Sequence, residues 1–277
     1  MTRVADWLAS GARGLVSAFV RHRTLTLELS RREVLGRYRG STLGAVWMFL
    51  MPLLMLSVYM LAFGTIMKSR WPIPEGDEDA SFAAIIFVGL IVHGFFSECL
   101  IKSPTMITSN VSYVKKIIFP LEILPWPMIL SALVHTTANI AILLLFQLVQ
   151  SGTLSVTVTA LPLILLPLVI LTVGVSWFLA GLSVYLRDLS QLITPLSTAL
   201  LFLSTAIIPS DVVPERFRLL FEWNPISFII DQSRNAVLWA TWPDWEGLAI
   251  YFVIACVIAY AGSISFQVAR RGFADVL

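Results

Sequence analysis

Few of the side chains able to do chemistry are spaced to do it together. Histidine occurs at His22, His93 and His135 with no paired ligand spacing, so no metal site is expected. Cys99 and Cys256 both lie in apolar stretches, which argues against a disulfide framework and reads them as small core residues. The lysines are Lys68, Lys102, Lys115 and Lys116, none of them after a glycine. A G-x-x-x-x-G-K-[ST] phosphate loop is therefore absent, and the chain is not expected to hydrolyse ATP by itself. What remains is Arg37-Tyr38-Arg39, whose guanidinium groups suit bidentate contact with phosphate, a basic Tyr113, Lys115, Lys116 cluster, and a polar stripe of His135, Asn139 and Gln147 at helical spacing.

These residues must be held by an apolar frame. Of 277 residues 57% are hydrophobic and only 13% charged, and the mean hydropathy is +0.84. A soluble domain carries about a quarter charged residues, so this composition belongs to a bilayer. A crossing helix needs about 20 apolar residues. Charge-free runs extend over Ser41 to Met67, Ala80 to Ser97, Ile123 to Leu186, Leu189 to Ser210 and Gly247 to Ala269. The third is long enough for two helices and is divided by the polar turn Gln150-Ser151-Gly152. An all-α polytopic protein with six spans is predicted, at about 41–67, 82–101, 121–149, 157–186, 189–208 and 248–268. Residues 1–40 form an amino-terminal segment, 41–270 the membrane domain and 271–277 a short tail.

Lys and Arg concentrate before span one, after span two and at the carboxyl end, while Glu75, Asp77, Glu78 and Asp79 fall on the opposite side. By the positive-inside rule both termini are expected in the cytoplasm. The first forty residues offer no uninterrupted h-region with a cleavage site, so a signal peptide is not expected. No Asp or Glu lies mid-span, since Glu98 and Glu122 stand near the inner boundary, which disfavours a proton-coupled carrier.

Three segments are neither span nor simple loop. Thr24 to Gly40 spaces Leu27, Val34, Leu35 and Tyr38 on one helical face with arginines nearby, the pattern of an amphipathic helix on the membrane surface. It serves either as an anchor or as a receiver of a charged headgroup at Arg37 and Arg39. The loop Lys102 to Phe119 is the longest inner loop and a natural handle for a partner. Asp211 to Glu246 carries six acidic and three basic residues yet is too apolar for an exposed loop. Two short re-entrant helices are predicted there, parted at Asn224-Pro225, with Pro209 and Pro214 breaking span five.

Four stretches carry a resemblance: RREVLGRYRGSTLGAVWMFLMPLLMLSVYMLAFG from Arg31, ITSNVSYVKKIIFPLEILP from Ile107, YLRDLSQ from Tyr185 and WNPISFIIDQSRNAVL from Trp223. Together, in this order, they resemble the membrane permease subunit of type-two ABC transporters that export O-antigen, capsular polysaccharide or teichoic acid. The resemblance implies a homodimer in the bacterial inner membrane, two copies of a separate ATPase subunit that binds ATP and Mg, and no cofactor in this chain; with 19 basic and 17 acidic residues nothing marks a nucleic-acid binder. Its substrate would be a polysaccharide on undecaprenyl diphosphate. Ser103, Asn110, Tyr113, Lys115 and Lys116 match the family's ATPase-coupling loop; Arg37, Tyr38 and Arg39 fall at the substrate entrance; Pro209, Pro214, Trp223, Asn224 and Pro225 fall at the outer gate. Glycan passage implies aromatic surfaces, for which Tyr59, Trp177, Phe178, Tyr185 and Phe202 are the candidates. Rival classes are an ion-coupled secondary carrier, a membrane transferase, for which no acid/base or metal constellation is found, and a small-molecule ABC permease.

Overall fold

The structure is a computed structural model that describes residues 19–66, 82–111, 119–209 and 213–276, all-helical within those limits. Its principal helices are α1 Arg23–Tyr38, α2 Trp47–Tyr59, α3 Phe82–Lys102, α4 Pro125–Ser151, α5 Leu161–Ser183, α6 Leu189–Phe202, α7 Glu215–Glu222, α8 Ser227–Val237 and α9 Trp245–Arg270. Among the described residues five helical stretches are long and apolar enough to cross a membrane: Gly44–Ala62, Phe82–Thr105, Leu121–Ser151, Val156–Ser183 and Trp245–Arg270.

The amphipathic stretch folds as α1, and its buried face is small and polar. Thr26 and Ser30 pack toward α4, while Leu27 and Leu35 are exposed. Each buried hydroxyl is satisfied by its own helix: Thr26 donates to the His22 carbonyl at 3.1 Å and Ser30 to the Thr26 carbonyl at 2.7 Å. Gly40 and Gly44, at φ 84° and 53°, turn the chain from α1 into α2. A π-helical stretch, Met60–Ile66, extends α2.

α3 is the central post, in contact with α2, α4, α5, α6 and α8. α5 and α9 form the most extensive helix pair, made possible by glycines. A Cβ on Gly174 would lie 2.7 Å from the Ala259 nitrogen, and one on Gly262 would collide with the Gly174 carbonyl. Without a hydrophobic driving force between helices in lipid, such backbone approach is what supplies packing energy. Because α9 uses this one face, its other sides point outward, and Cys256 is exposed instead of being a core residue; Cys99 is buried.

The predicted turn at Gln150-Ser151-Gly152 is present as the end of α4, where Gly152 adopts the left-handed conformation with φ 73° and its N–H reaches the Leu148 carbonyl at 2.9 Å. Span five departs from expectation. Predicted over 189–208, it is helical only over Leu189–Phe202, 14 residues, or about 21 Å of rise against a hydrocarbon core of about 30 Å. The reason lies in side chains from later in the chain, described below.

Candidate functional site

At one end of the bundle α1, α3 and α4 bring together charges that are far apart in sequence. Glu98 of α3 accepts hydrogen bonds from Arg37 of α1 and from Lys102 Nζ, the latter at 2.9 Å, and Lys102 also reaches Glu33 at 3.1 Å. This network balances two cations with two anions. Beside it the Tyr38 hydroxyl meets His135 Nδ1 at 3.1 Å, and the rings lie edge to face. Desolvation raises the Tyr38 pKa, partly offset by Arg37, so the phenol keeps its proton at neutral pH. His135 Nε2 is buried without a hydrogen-bond partner among the described residues. Of the predicted entrance triad, then, Arg37 and Tyr38 are engaged by α3 and α4, whereas Arg39 is exposed.

Behind the network a recess of about 390 Å³ runs between α2, α3 and α4. Phe87, Ile91, Gly94 and Glu98 line its α3 wall, a spacing that places them on one helix face for about 16 Å. Tyr59 and Met55 close it from α2, and His135 and Asn139 from α4. At the same end Arg270, at the close of α9, pairs with Glu122, whose carbonyl accepts the Trp177 indole N–H at 3.3 Å.

In the predicted coupling loop, Ser103 is buried and donates to the Cys99 carbonyl at 2.6 Å, opening a 3-10 turn, Ser103–Thr105, that packs against α5. Asn110 ties back to the Met106 carbonyl at 2.9 Å. Tyr113, Lys115 and Lys116 lie outside the described residues.

The segment after α6 forms two short helices, α7 and α8, parted at Asn224-Pro225 as predicted. Pro214 is the N-cap of α7, and Trp223 is 83% exposed. Asn224 is buried: its amide donates to the carbonyls of Leu200 and Leu203 at 2.9 and 3.0 Å, while its oxygen accepts from the Ile226 N–H. The Tyr251 hydroxyl donates to the Pro225 carbonyl. Arg234, one of the three basic residues of this segment, is 1% exposed. Its guanidinium donates to the carbonyls of Ile85 at 3.1 Å, Thr205 at 2.7 Å and Ala206 at 2.9 Å, and to Asp231 at 3.3 Å. A guanidinium is effectively always protonated, and these acceptors surround it as a cation. These donors explain the short α6. Carbonyls that a longer helix would bond internally are instead taken by Asn224 and Arg234, so the chain unwinds from Leu203 to Pro209 without leaving them unsatisfied.

The five aromatic candidates do not share one surface. Trp177 is 3% exposed and packs edge to face on Trp126, so it belongs to the core and cannot offer a ring face to a passing sugar. Tyr185 donates to the Ala269 carbonyl at 2.7 Å and holds the end of α9. Phe178 and Phe202 point outward, and Tyr59 lines the recess. Sequence reasoning missed Arg234, the Glu98 and Glu122 ion pairs, and Gly94. The only signal for any of them was the i, i+4 spacing of Glu98 and Lys102.

Comparison with known proteins covers nearly the whole chain. It is 27% identical over 263 residues to an O-antigen export system permease protein RfbA of Myxococcus xanthus, spanning 94% of this chain and 98% of the relative. A protein of the same name from Klebsiella pneumoniae is 26% identical over 254 residues, spanning 91% and 95%, and a second from that organism is 24% identical over 258 residues with the same coverage. Residues 24–238, from α1 through α8, match the model of the ABC-2 type transporter family. With most of its length matched and several membrane-crossing helices, the chain is a multi-pass membrane protein that belongs to the ABC-2 type transporter family.

Proposed function

We propose that this chain is the channel-forming permease subunit of an ATP-driven exporter that moves lipid-linked polysaccharide, O-antigen in the first place, across the bacterial inner membrane. The observation that carries this reading is near full-length similarity to three O-antigen export permeases. The sequence contains no phosphate loop, so the energy source is a separate ATPase, taken as two copies carrying ATP and Mg. Two copies of this chain then enclose the channel, and the segment from Ser103 to Lys116 contacts the ATPase.

In this reading α6 together with the unwound Leu203 to Pro209 makes the fifth of six crossings, and α7 and α8 are re-entrant, filling the outer half that α6 leaves open. The ion-paired end faces the cytoplasm with both termini. α1 lies on the inner surface, where exposed Leu27 and Leu35 meet lipid and arginines meet anionic headgroups. Arg39, exposed at the end of α1, is placed to meet the diphosphate of the carrier.

The test is deletion of the gene in its native host, with assay of surface glycan and of lipid-linked polymer retained in the inner membrane. Loss from the surface with accumulation inside supports the reading. Unchanged surface glycan without accumulation, in a host with no second exporter, rejects it.

A further inference from the structure

Most glycines within the membrane-crossing helices are there because a neighbour leaves no room. A Cβ on Gly89 would come within 2.7 Å of Ala206 Cα, and Gly174, Gly181 and Gly262 sit against the backbone of the partner helix in the α5 and α9 pair. Gly94 is different. It lies inside α3, where glycine is costly relative to alanine by roughly 0.5 to 1 kcal/mol, yet a Cβ there would meet nothing within 4 Å. The space it leaves is the recess between α2, α3 and α4. Among the described residues of this chain no packing requirement accounts for this glycine, whereas an occupant of the recess does.

The walls describe that occupant. Glu98 and Arg37 at the mouth are partly exposed, with side chains at 20 and 37%, and exposed ions facing hydrocarbon are strongly disfavoured. The mouth therefore opens to water or the headgroup zone and not to acyl chains. Arg37 and Glu98 are the two charged residues of the lining and they cancel, so the lining has no excess positive charge to select a phosphate. Inside, hydrogen-bonding groups alternate with apolar faces: Asn139, His135 and Tyr38 beside Tyr59 and Trp47. Hydroxyl groups with an apolar ring face, and no net charge, complement such a lining.

We propose that this recess binds a neutral sugar residue of the transported glycan, held against Gly94 on α3. The inference rests on the export reading above and adds a sugar subsite within a single subunit, distinct from contact of Arg39 with the lipid diphosphate.

The experiment uses the complex of this chain with its ATPase in lipid nanodiscs. The probe is the radiolabelled repeat-unit oligosaccharide released by mild acid from the host's own surface polymer, read by equilibrium dialysis. Wild type is expected to bind saturably. Gly94→Leu, which projects into open space and should leave membrane level and ATPase co-purification unchanged, is expected to weaken binding at least about tenfold, and Gly94→Ala by no more than about twofold. Asn139→Leu, on another helix, should weaken binding in the same direction. Equal binding by Gly94→Leu and Asn139→Leu, or no saturable binding by a wild-type complex that exports polymer in cells, overturns the sugar site and leaves the export reading standing. Loss of a co-purified phospholipid from Gly94→Leu with oligosaccharide binding intact overturns it as well, in favour of lipid. A gene deletion that neither removes surface polymer nor traps it inside removes the export reading, and this inference with it.

Discussion

Two arginines, Arg37 and Arg234, make opposite use of the same guanidinium. Arg37 is 37% exposed and pairs with one carboxylate in a balanced surface network. Arg234 is 1% exposed and gives most of its donors to backbone carbonyls of two segments, the start of α3 and the unwound end of α6, and one to the Asp231 carboxylate on its own helix. The first is screened by solvent and can exchange partners at modest cost. The second replaces helical hydrogen bonds, so removing it strands several buried acceptors at once. One end of this bundle is thus held by solvent-screened ion pairs, and the other is tied by buried hydrogen bonds.

Arg234→Met should break the comparison most severely, with loss of about 3 to 5 kcal/mol seen as failure to accumulate monodisperse protein in detergent. Arg234→Lys should recover part of this, because an ammonium keeps the charge but lacks the planar fork that reaches three carbonyls. Survival of Arg234→Met at wild-type thermal stability would show that the unwound segment does not depend on the cation. Asn224→Ala, which frees the Leu200 and Leu203 carbonyls, should cost about 1 to 3 kcal/mol, read as a lower unfolding midpoint.

Smaller effects belong to the ion-paired end of α1, α3 and α4. Glu98→Gln leaves Arg37 and Lys102 without their shared carboxylate and should cost no more than about 1 kcal/mol of stability, while changing export, since it leaves the mouth of the recess positive. A drop in stability as large as that of Asn224→Ala would mean that the Glu98 network is as structural as the one around Asn224 and Arg234. Smallest should be the effect of Arg39→Gln on folding: thermal stability within about 0.5 kcal/mol of wild type, with reduced glycan export. Unchanged export would assign Arg39 to orientation alone.

Much of the architecture could be read along the chain because lipid imposes a one-dimensional rule. Charge-free runs of sufficient length become helices, and the stretches observed at Phe82–Thr105, Leu121–Ser151, Val156–Ser183 and Trp245–Arg270 fall close to the predicted spans. The break at Asn224-Pro225 and the left-handed Gly152 were legible for the same local reason, the conformational bias of Pro, Asn and Gly. The short α6 was not legible. Its apolar sequence continues without charge to Ser210, and what ends the helix is a pair of donors, Asn224 and Arg234, about twenty to thirty positions later.

The candidate site divides in the same way. Arg37, Tyr38 and Arg39 stood out by type and by their place before span one, and the amphipathic pattern around them was local. That Arg37 is neutralised by Glu98, that Trp177 is a core residue, and that Gly94 opens a recess all depend on which faces of α1 to α5 meet, which helical periodicity leaves open when every side of a span is apolar. Composition and run length were enough for a membrane-embedded helical bundle, because the bilayer penalises each buried charge regardless of fold. Partnering of the few polar groups inside it required the assembled helices, because a hydrogen bond or an ion pair is satisfied by proximity in space and leaves little trace in spacing along the chain.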